Sequence, residues 1–131
     1  KGKTRRDALR KRQVEHVVRE IEKRNSENLP IVLTGDLNSW QNRDPGNPPH
    51  DYLVGQGFVD AFAAPAKTNP DLSTYNQWKT NPKKYGQGFG VRLDYVLVKG
   101  GAGVLKHQNV LKPADSDHNL VIADVRLPQR R

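Results

Sequence analysis

The stretch that decides the fold is Ile31-Val32-Leu33-Thr34-Gly35-Asp36-Leu37-Asn38, in which an apolar run ends in a turn and two polar side chains. A short apolar run bounded by turn-forming residues predicts a buried strand. Asp36 and Asn38 follow that strand directly, where ligands commonly bind in open α/β sheets. A carboxylate there can activate water or bind a metal, and an amide can donate hydrogen bonds to phosphate oxygens. Gly-Asp and Asn-Ser are also frequent turn dipeptides, so other segments must decide.

Asp94 and His118 are the next two candidates. Asp94 interrupts the predicted strand Arg92–Val98, whose other residues favour burial, so it should either take up a proton or face a cationic or hydrogen-bond-donating group. Pairing with Arg92 is the structural alternative, although adjacent strand residues point to opposite faces. His118 precedes the last apolar strand and is the natural partner, since a carboxylate bound to one ring nitrogen favours the imidazolium. The alternative for His118 is a structural role, which is common for a lone histidine at the start of a strand.

Three further residues are candidates for binding metal or substrate. Asp117 offers a carboxylate to a divalent cation, because Mg²⁺ prefers oxygen ligands; the alternative is an exposed turn. Trp78 either stacks on a base or packs its loop against the core, and its bulk favours core packing. Asn76, two residues earlier, is the second candidate for contact with substrate. The remaining histidines have no comparable context and are predicted to lie at the surface: His16, His50 and His107.

Helices and strands follow one another around these segments, but they do not form a regular βαβ series. Residues 4–24 carry apolar side chains at helical spacing, and Thr4 with Asp7 resembles a capping box. Residues 62–90 show little periodicity, so a long irregular loop is expected there. This mixture predicts an α/β (α+β) fold, with a mixed sheet covered by helices. The other predicted elements are a helix over Asp51–Val54 that follows Asn47-Pro48, and strands over Val104–Val110 and Leu120–Leu127.

Length, composition and charge narrow the class of protein. The 131 residues predict a single domain, and the hydrophobic fraction of 34% predicts a thin core. The absence of cysteine excludes disulfides and thiolate metal sites. Residues 1–24 hold ten Lys or Arg against four Asp or Glu, most of the formal charge of +8. This stripe favours polyanionic partners, with a solvated helix face as the alternative. No transmembrane segment or leader is visible, so the compartment, secreted or cytoplasmic, is left open.

Taken together, the segments resemble the endonuclease/exonuclease/phosphatase superfamily, which includes enzymes like pancreatic deoxyribonuclease. Ile31–Asn38 is similar to the family's strand that ends in Gly-Asp-Phe/Leu-Asn, and Arg92–Val98 to its Arg-Leu/Ile-Asp-Tyr strand. Ser116–Leu120 is similar to its Ser-Asp-His segment, and Gly57–Asp60 resembles a stretch between the first two motifs. The resemblance implies a four-layer α/β sandwich with a mixed, mostly antiparallel sheet and flanking helices. Residues 1–131 would be a single unit, its carboxy-terminal half.

The resemblance also implies roles for individual residues. Asp36 would activate or orient the attacking water, and Asn38 would hydrogen-bond the phosphate, with Asp36, Asn38 and Asp117 at the metal site. Asp94 would orient His118, which would stabilise the scissile phosphoryl group. The implied reaction is in-line attack of water on a phosphoester, with Mg²⁺ or Mn²⁺ as cofactor. Nucleic acid is the favoured substrate; a sphingomyelinase-like lipid phosphodiesterase and a non-catalytic phosphate-binding module are the alternatives.

Part of the family's metal site is not in this chain. In the family, an Asn and a Glu near the start of the domain supply metal ligands, and a Thr-His-Leu-like strand supplies a further histidine. We therefore expect this chain to be a fragment, or one chain of a split protein, whose partner is the amino-terminal half of the same fold. We also expect that the chain alone binds metal poorly and is inactive.

Overall fold

The computed structural model describes residues 2–41, 46–78, 91–111 and 115–129, with the backbone alone for residues 2–4. Two α-helices, a 3₁₀ turn and six strands lie within these ranges. In chain order they are α1 (Gly2–Arg24), β1 (Ile31–Asp36), α2 (Pro48–Gly55), β2 (Val59–Asp60), the 3₁₀ turn (Ala61–Ala63), β3 (Ala66–Thr68), β4 (Asp94–Lys99), β5 (Gly103–Val110) and β6 (Leu120–Arg126).

The strands form two three-stranded sheets. The first has the order β1-β4-β2 and is antiparallel throughout. The second has the order β3-β5-β6, in which β3 runs parallel to β5 and β6 runs antiparallel to it. The sheets come together where β4 approaches β6. This arrangement confirms the predicted class, a mixed α/β fold with mostly antiparallel strands.

The core lies between the helices and the first sheet. Val14 and Val18 on α1 pack in one cluster with Leu53 on α2 and with Tyr95 and Leu97 on β4. Residues two apart on a strand share a face, so Tyr95 and Leu97 point towards the helices together. The cluster is small, as the low hydrophobic fraction predicts. Among the described residues, no helix is long and apolar enough to cross a membrane.

Two predicted boundaries are wrong, and both concern polar residues. The helix α1 begins at Gly2, so the backbone of Thr4 lies inside the helix and not at the predicted N-cap position. Asp7 accepts a hydrogen bond from Arg10 at 3.2 Å. The strand β4 begins at Asp94, so this carboxylate stands at the end of a strand and does not interrupt one. A strand end is a less demanding place for a charge, because one side is open to solvent.

The described part of the predicted loop, residues 62–78, is more regular than predicted. It holds part of the 3₁₀ turn and the strand β3. Because β3 has three residues, it is too short for an alternation of apolar and polar side chains to be recognised in the sequence. Its pairing with β5, 40 residues away, is what makes it a strand. The rest of the predicted loop, residues 79–90, lies outside the described residues.

Both sheets have an apolar edge. The strand β1 pairs with β4 alone among the described strands, and Val32 on β1 is 49% exposed. The strand β6 is the corresponding edge of the second sheet, where Leu120 and Ile122 are exposed. A groove of about 400 Å³ runs between α1 and β1; we call it the α1–β1 groove. Its lining includes Arg6, Leu9, Arg10, Val17, Leu33, Asp36 and Asn38.

Candidate active site

Asp36 and Asp94 face each other across the β1–β4 ladder. They are cross-strand partners at the end of that ladder, one on each strand. The backbone N–H of Leu37 donates to the carbonyl oxygen of Leu93 at 2.8 Å, which continues the pairing one residue further. Two like charges directly opposite each other destabilise a sheet. The pair is therefore expected to need a cation or a hydrogen-bond donor beside it.

His118 supplies that group. Its Nδ1 lies 2.7 Å from Asp94 Oδ2, and its Nε2 lies 3.9 Å from Asp36 Oδ2. An ionised carboxylate only accepts hydrogen bonds, so this contact places a proton on Nδ1. Burial by itself would lower the pKa of His118. The hydrogen bond to Asp94 and the charges of Asp94, Asp36 and Asp117 outweigh that effect, and the pKa is raised. The raised pKa shifts the equilibrium of this ring towards the imidazolium.

The carboxylates of Asp36 and Asp94 and the imidazole of His118 form a compact cluster. One ligand atom from each of Asp36, Asp94 and His118 lies within 4.8 Å of the others. Carboxylate oxygens suit Mg²⁺ and Mn²⁺, so the donor set fits a hard divalent cation. The bond to Asp94 already engages His118 Nδ1, which leaves Asp36 as the more available ligand. Asp117 is outside this three-residue cluster, and the metal roles of Asp36, Asn38 and Asp117 stay predictions.

The loop that carries Asn38 is fixed from two sides. The Asn38 backbone N–H donates to Asp36 Oδ1 at 2.7 Å, and the residue adopts a left-handed conformation with φ of 48°. The hydroxyl of Tyr95 donates to the Ser39 carbonyl oxygen at 2.8 Å and accepts from Asn47 Nδ2 at 3.0 Å. Burial raises the pKa of Tyr95 to about 12, so it remains a donor throughout the working pH range. Asn38 itself is exposed.

The two predicted substrate-binding residues lie in different environments. Asn76 is buried; its Nδ2 donates to the Ser116 carbonyl oxygen and to Asn119 Oδ1, and its Oδ1 accepts from the Trp78 N–H. Contact with a substrate would require some of these bonds to break. The indole of Trp78 is 62% exposed, so the predicted packing against the core is wrong. Trp78 follows Gln77, whose N–H donates to the Asp117 carbonyl oxygen, and so lies beside the His118 loop.

Sequence reasoning missed a charged side chain on β2, that of Asp60, which is largely buried. Asp60 Oδ2 accepts from Arg92 Nη1 at 3.2 Å and contacts His50 Nε2 at 2.9 Å. The Arg92 guanidinium stacks 3.9 Å above the ring of Phe62. Burial would raise the pKa of Asp60, but His50 and Arg92 hold it below its ordinary value. The bond to Asp60 raises the pKa of His50 against the opposing effect of burial. Arg92 therefore pairs with Asp60 and leaves Asp94 to His118.

The surface placement predicted for three histidines is correct for His16 alone. His16 is exposed on α1. His50 is half-buried against Asp60, and His107 is 2% exposed on β5 with its ring edge against Phe62. Burial lowers the pKa of His107, which favours the neutral ring. The only signal for Asp60 in the sequence was the resemblance of Gly57–Asp60 to a family stretch.

The two sheets and their helices make this an α/β protein in which two carboxylates and an imidazole meet at one end of the β1–β4 pair. Within that class, the sequence profile of the Endonuclease/Exonuclease/phosphatase family matches residues 2–118, and the chain belongs to this family. The predicted family is thus confirmed. No curated protein sequence matches the chain.

Several solved structures share the fold. A family protein from Bacteroides vulgatus is 23% identical with a TM-score of 0.73, and the match covers 93% of this chain and 45% of that one. A mannosyl-6-phosphatase from Bacteroides thetaiotaomicron is 21% identical with a TM-score of 0.69, covering 90% and 46%. A family protein from the same organism is 18% identical with a TM-score of 0.70, covering 94% and 46%. This chain therefore spans less than half the length of these structures.

Proposed function

We propose that this chain supplies the water-activating and phosphate-holding half of a metal-dependent phosphodiesterase that acts on nucleic acid. The observation that carries the proposal is the convergence of Asp36, Asp94 and His118 within 4.8 Å. The carboxylate of Asp36 orients water and accepts its proton as the water oxygen bonds to phosphorus; the ester P–O bond opposite breaks, and the leaving alkoxide takes a proton from solvent water. His118, held by Asp94, donates a hydrogen bond from Nε2 to a phosphoryl oxygen and stabilises its growing negative charge.

A divalent cation is part of the proposal, and Mg²⁺ or Mn²⁺ fits the oxygen donors at this end of the sheet. Asp36, Asn38 and Asp117 are the residues of this chain that would hold it. Such an ion neutralises charge on the phosphoryl oxygens. The cluster is partly exposed, with 34% of the Asp36 side chain open to solvent, so a substrate can reach it.

Two features favour nucleic acid as the substrate. Trp78 is exposed beside the loop of Asp117 and His118, and an exposed indole can stack on a base by its face. Arg6 and Arg10 line the α1–β1 groove together with Asp36, so part of the positive charge of α1 lies in the groove that includes a member of the cluster. Cationic side chains along such a path attract the phosphate backbone.

A sugar phosphate is the second candidate substrate. A structural neighbour of this chain is a mannosyl-6-phosphatase. A 6-phosphorylated sugar is a phosphomonoester, and the same cluster can serve it because water attacks phosphorus in both reactions. The two candidates differ in what surrounds that group, since a sugar phosphate has neither neighbouring phosphates for Arg6 and Arg10 nor a base for Trp78.

The test uses the full-length parent protein with four substrates: plasmid DNA, bis(4-nitrophenyl) phosphate, sphingomyelin and mannose 6-phosphate. We expect hydrolysis of DNA that EDTA stops and Mg²⁺ restores. His118→Ala should lower kcat at least a hundredfold, whereas His16→Ala, at an exposed histidine on α1, should leave kcat unchanged. Trp78→Ala should raise KM for DNA and not for the small diester. Hydrolysis of mannose 6-phosphate alone would select the second candidate, and no activity on any substrate would refute both.

We further propose that the amino-terminal half of the fold, in the same parent chain or as a separate chain, completes the site. The solved structures of this fold are about twice as long as this chain, and the exposed residues Val32, Leu120 and Ile122 leave the sheet edges apolar. Calorimetry with Mg²⁺ should detect binding in the full-length protein and none in residues 1–131. Robust Mg²⁺-dependent turnover by the isolated chain would contradict this.

A further inference from the structure

The hydroxyl of Thr74 touches the backbone from which the Asp94 side chain projects. Thr74 is fully buried, and its Oγ1 accepts hydrogen bonds from the N–H of Leu93 at 2.8 Å and of Asp94 at 3.2 Å. The same hydroxyl lies 3.4 Å from the Val91 carbonyl oxygen, to which it donates. One donor and two acceptor positions are all that a hydroxyl offers, so this group is saturated.

The backbone of Thr74 reaches the segment that carries His118. The Asn119 N–H donates to the Thr74 carbonyl oxygen at 2.8 Å, and Tyr75 forms an isolated antiparallel bridge with His118. Thr74 therefore holds the start of β4 by its side chain and the His118 loop by its main chain. The 2.7 Å contact between Asp94 and His118 spans the two segments that this residue joins.

The connection extends to the third member of the cluster. The peptide group between Leu93 and Asp94 donates the Asp94 N–H to Thr74 Oγ1 at 3.2 Å, and its Leu93 carbonyl oxygen accepts from the Leu37 N–H at 2.8 Å. Leu37 follows Asp36 directly. A shift of the Leu93 peptide would therefore move Asp94 relative to both Asp36 and His118.

We propose that Thr74 is a positioning residue that sets the geometry of Asp94 against His118 through its hydroxyl. The inference rests on the proposed function for its kinetic consequence but not for its structural one. Valine has the same shape without the hydroxyl, so Thr74→Val leaves the two N–H groups of Leu93 and Asp94 without their acceptor. Thr74→Ser restores the acceptor. Ser73 offers a matched control, because its buried hydroxyl also donates to the Val91 carbonyl oxygen, while its other hydrogen bonds are with the Tyr75 backbone and not with Leu93 or Asp94.

The first measurement does not depend on activity. Proton NMR of the full-length parent protein at one pH should show a far-downfield resonance from His118 Nδ1–H, the signature of its short bond to Asp94, and His118→Asn identifies the peak by removing it. We expect Thr74→Ser and Ser73→Ala to keep the peak, and Thr74→Val to lose it or shift it markedly upfield. Retention of the peak in folded Thr74→Val, or equal loss in Ser73→Ala, would overturn the proposal.

The second measurement is kinetic and uses the full-length protein. Misplacement of a catalytic group by about 1 Å can cost a hundredfold in rate, so Thr74→Val should lower kcat about 10- to 100-fold with KM nearly unchanged. Thr74→Ser should recover most of that loss. An inactive full-length protein would refute the proposed function and leave the NMR result to decide the role of Thr74. Should Thr74→Val not fold, amide exchange in the unaltered chain decides: protected N–H groups at Leu93 and Asp94 support the role, and solvent-like exchange overturns it.

Discussion

Replacing Asp60 by Asn removes a negative charge from a buried site while keeping the shape and one oxygen of the side chain. Asp60 Oδ1 accepts from the Phe62 N–H, and an Asn oxygen can take over that bond. Asp60 Oδ2 contacts Arg92 at 3.2 Å and His50 at 2.9 Å, and an Asn amide there would donate towards two groups that also donate. The substitution is thus a test of charge, since size and local capping are preserved.

The magnitude follows from the burial of the partner. Only 8% of the Arg92 side chain is exposed, so its guanidinium would be left in a poorly solvated place without an opposing charge. Breaking a buried ion pair by removing one partner destabilises a protein by about 3–5 kcal/mol. The contact of Arg92 with the Phe62 ring at 3.9 Å persists and offsets part of this. We therefore expect a loss of about 3 kcal/mol, which raises the unfolded fraction about a hundredfold.

The assay is urea denaturation followed by circular dichroism. With a urea dependence of about 1–3 kcal/mol/M, a loss of this size lowers the midpoint by about 1–3 M. Asp51→Asn is the matched control: its side chain is 66% exposed and lies 3.5 Å from the same His50, so about 1 kcal/mol or less should be lost.

The loss of stability in Asp60→Asn should also depend on pH, and the shifted pKa values of His50 and Asp60 set the direction of that dependence. The pKa of His50 is raised, so its contribution is complete below the unfolded value of about 6.5 and is lost as the pH rises through the folded value. The pKa of Asp60 is lowered, so its contribution is present above about 3.9 and is lost as the pH falls through the folded value. The gap between wild type and Asp60→Asn should be widest between about pH 4 and 6.5. An equal loss for Asp51→Asn, or a gap that widens towards pH 9, would refute this reasoning.

Two further changes test other parts of the fold. Tyr95→Phe removes the buried hydroxyl that donates to the Ser39 carbonyl. It should destabilise the chain by about 1–3 kcal/mol and speed amide exchange at Asn38. An unchanged exchange rate would contradict the role of this hydroxyl in holding the loop. Gly100→Ala should destabilise by more than about 1 kcal/mol, because φ is +79° and a Cβ would lie 3.1 Å from the backbone of a neighbouring turn. Its control is Gly55→Ala, where a Cβ meets nothing within 4 Å; melting curves should show it neutral or stabilising by up to about 1 kcal/mol.

The sequence predicts where the strands near the site lie, but it does not predict how those strands pair with one another. The strand Ile31–Asp36 is visible because an apolar run ends at a Gly-Asp turn, and that signal is local. The register that sets Asp36 opposite Asp94 joins residues 58 positions apart, and no local period encodes it. His118 could be matched with Asp94 because a carboxylate beside apolar strand residues demands a partner. The contact between Asp60 and Arg92 could not be predicted, because each residue has an ordinary local context. The contact forms only when β2 pairs with β4.

Errors at single residues have similar physical causes. Trp78 was predicted to pack inside because a large ring usually gains free energy by burial. It is exposed with φ of 63°, a conformation that the turn after Asn76 imposes and that the residue type does not reveal. His107 was predicted to be at the surface, but alternation along β5 places it on the same buried face as Asn109. In both cases the surrounding fold decides what the residue type alone leaves open.

The apolar edge strand β1 has a practical consequence for handling the isolated chain. Its outward N–H and C=O groups can template another strand, and β1 has neither Lys nor Pro to block such addition. Natural sheets protect edges of this kind, because strands that meet edge to edge grow into aggregates. Production of residues 1–131 alone therefore favours inclusion bodies, and a lysine at the exposed Val32 is a simple way to keep the chain monomeric for the spectroscopic measurements.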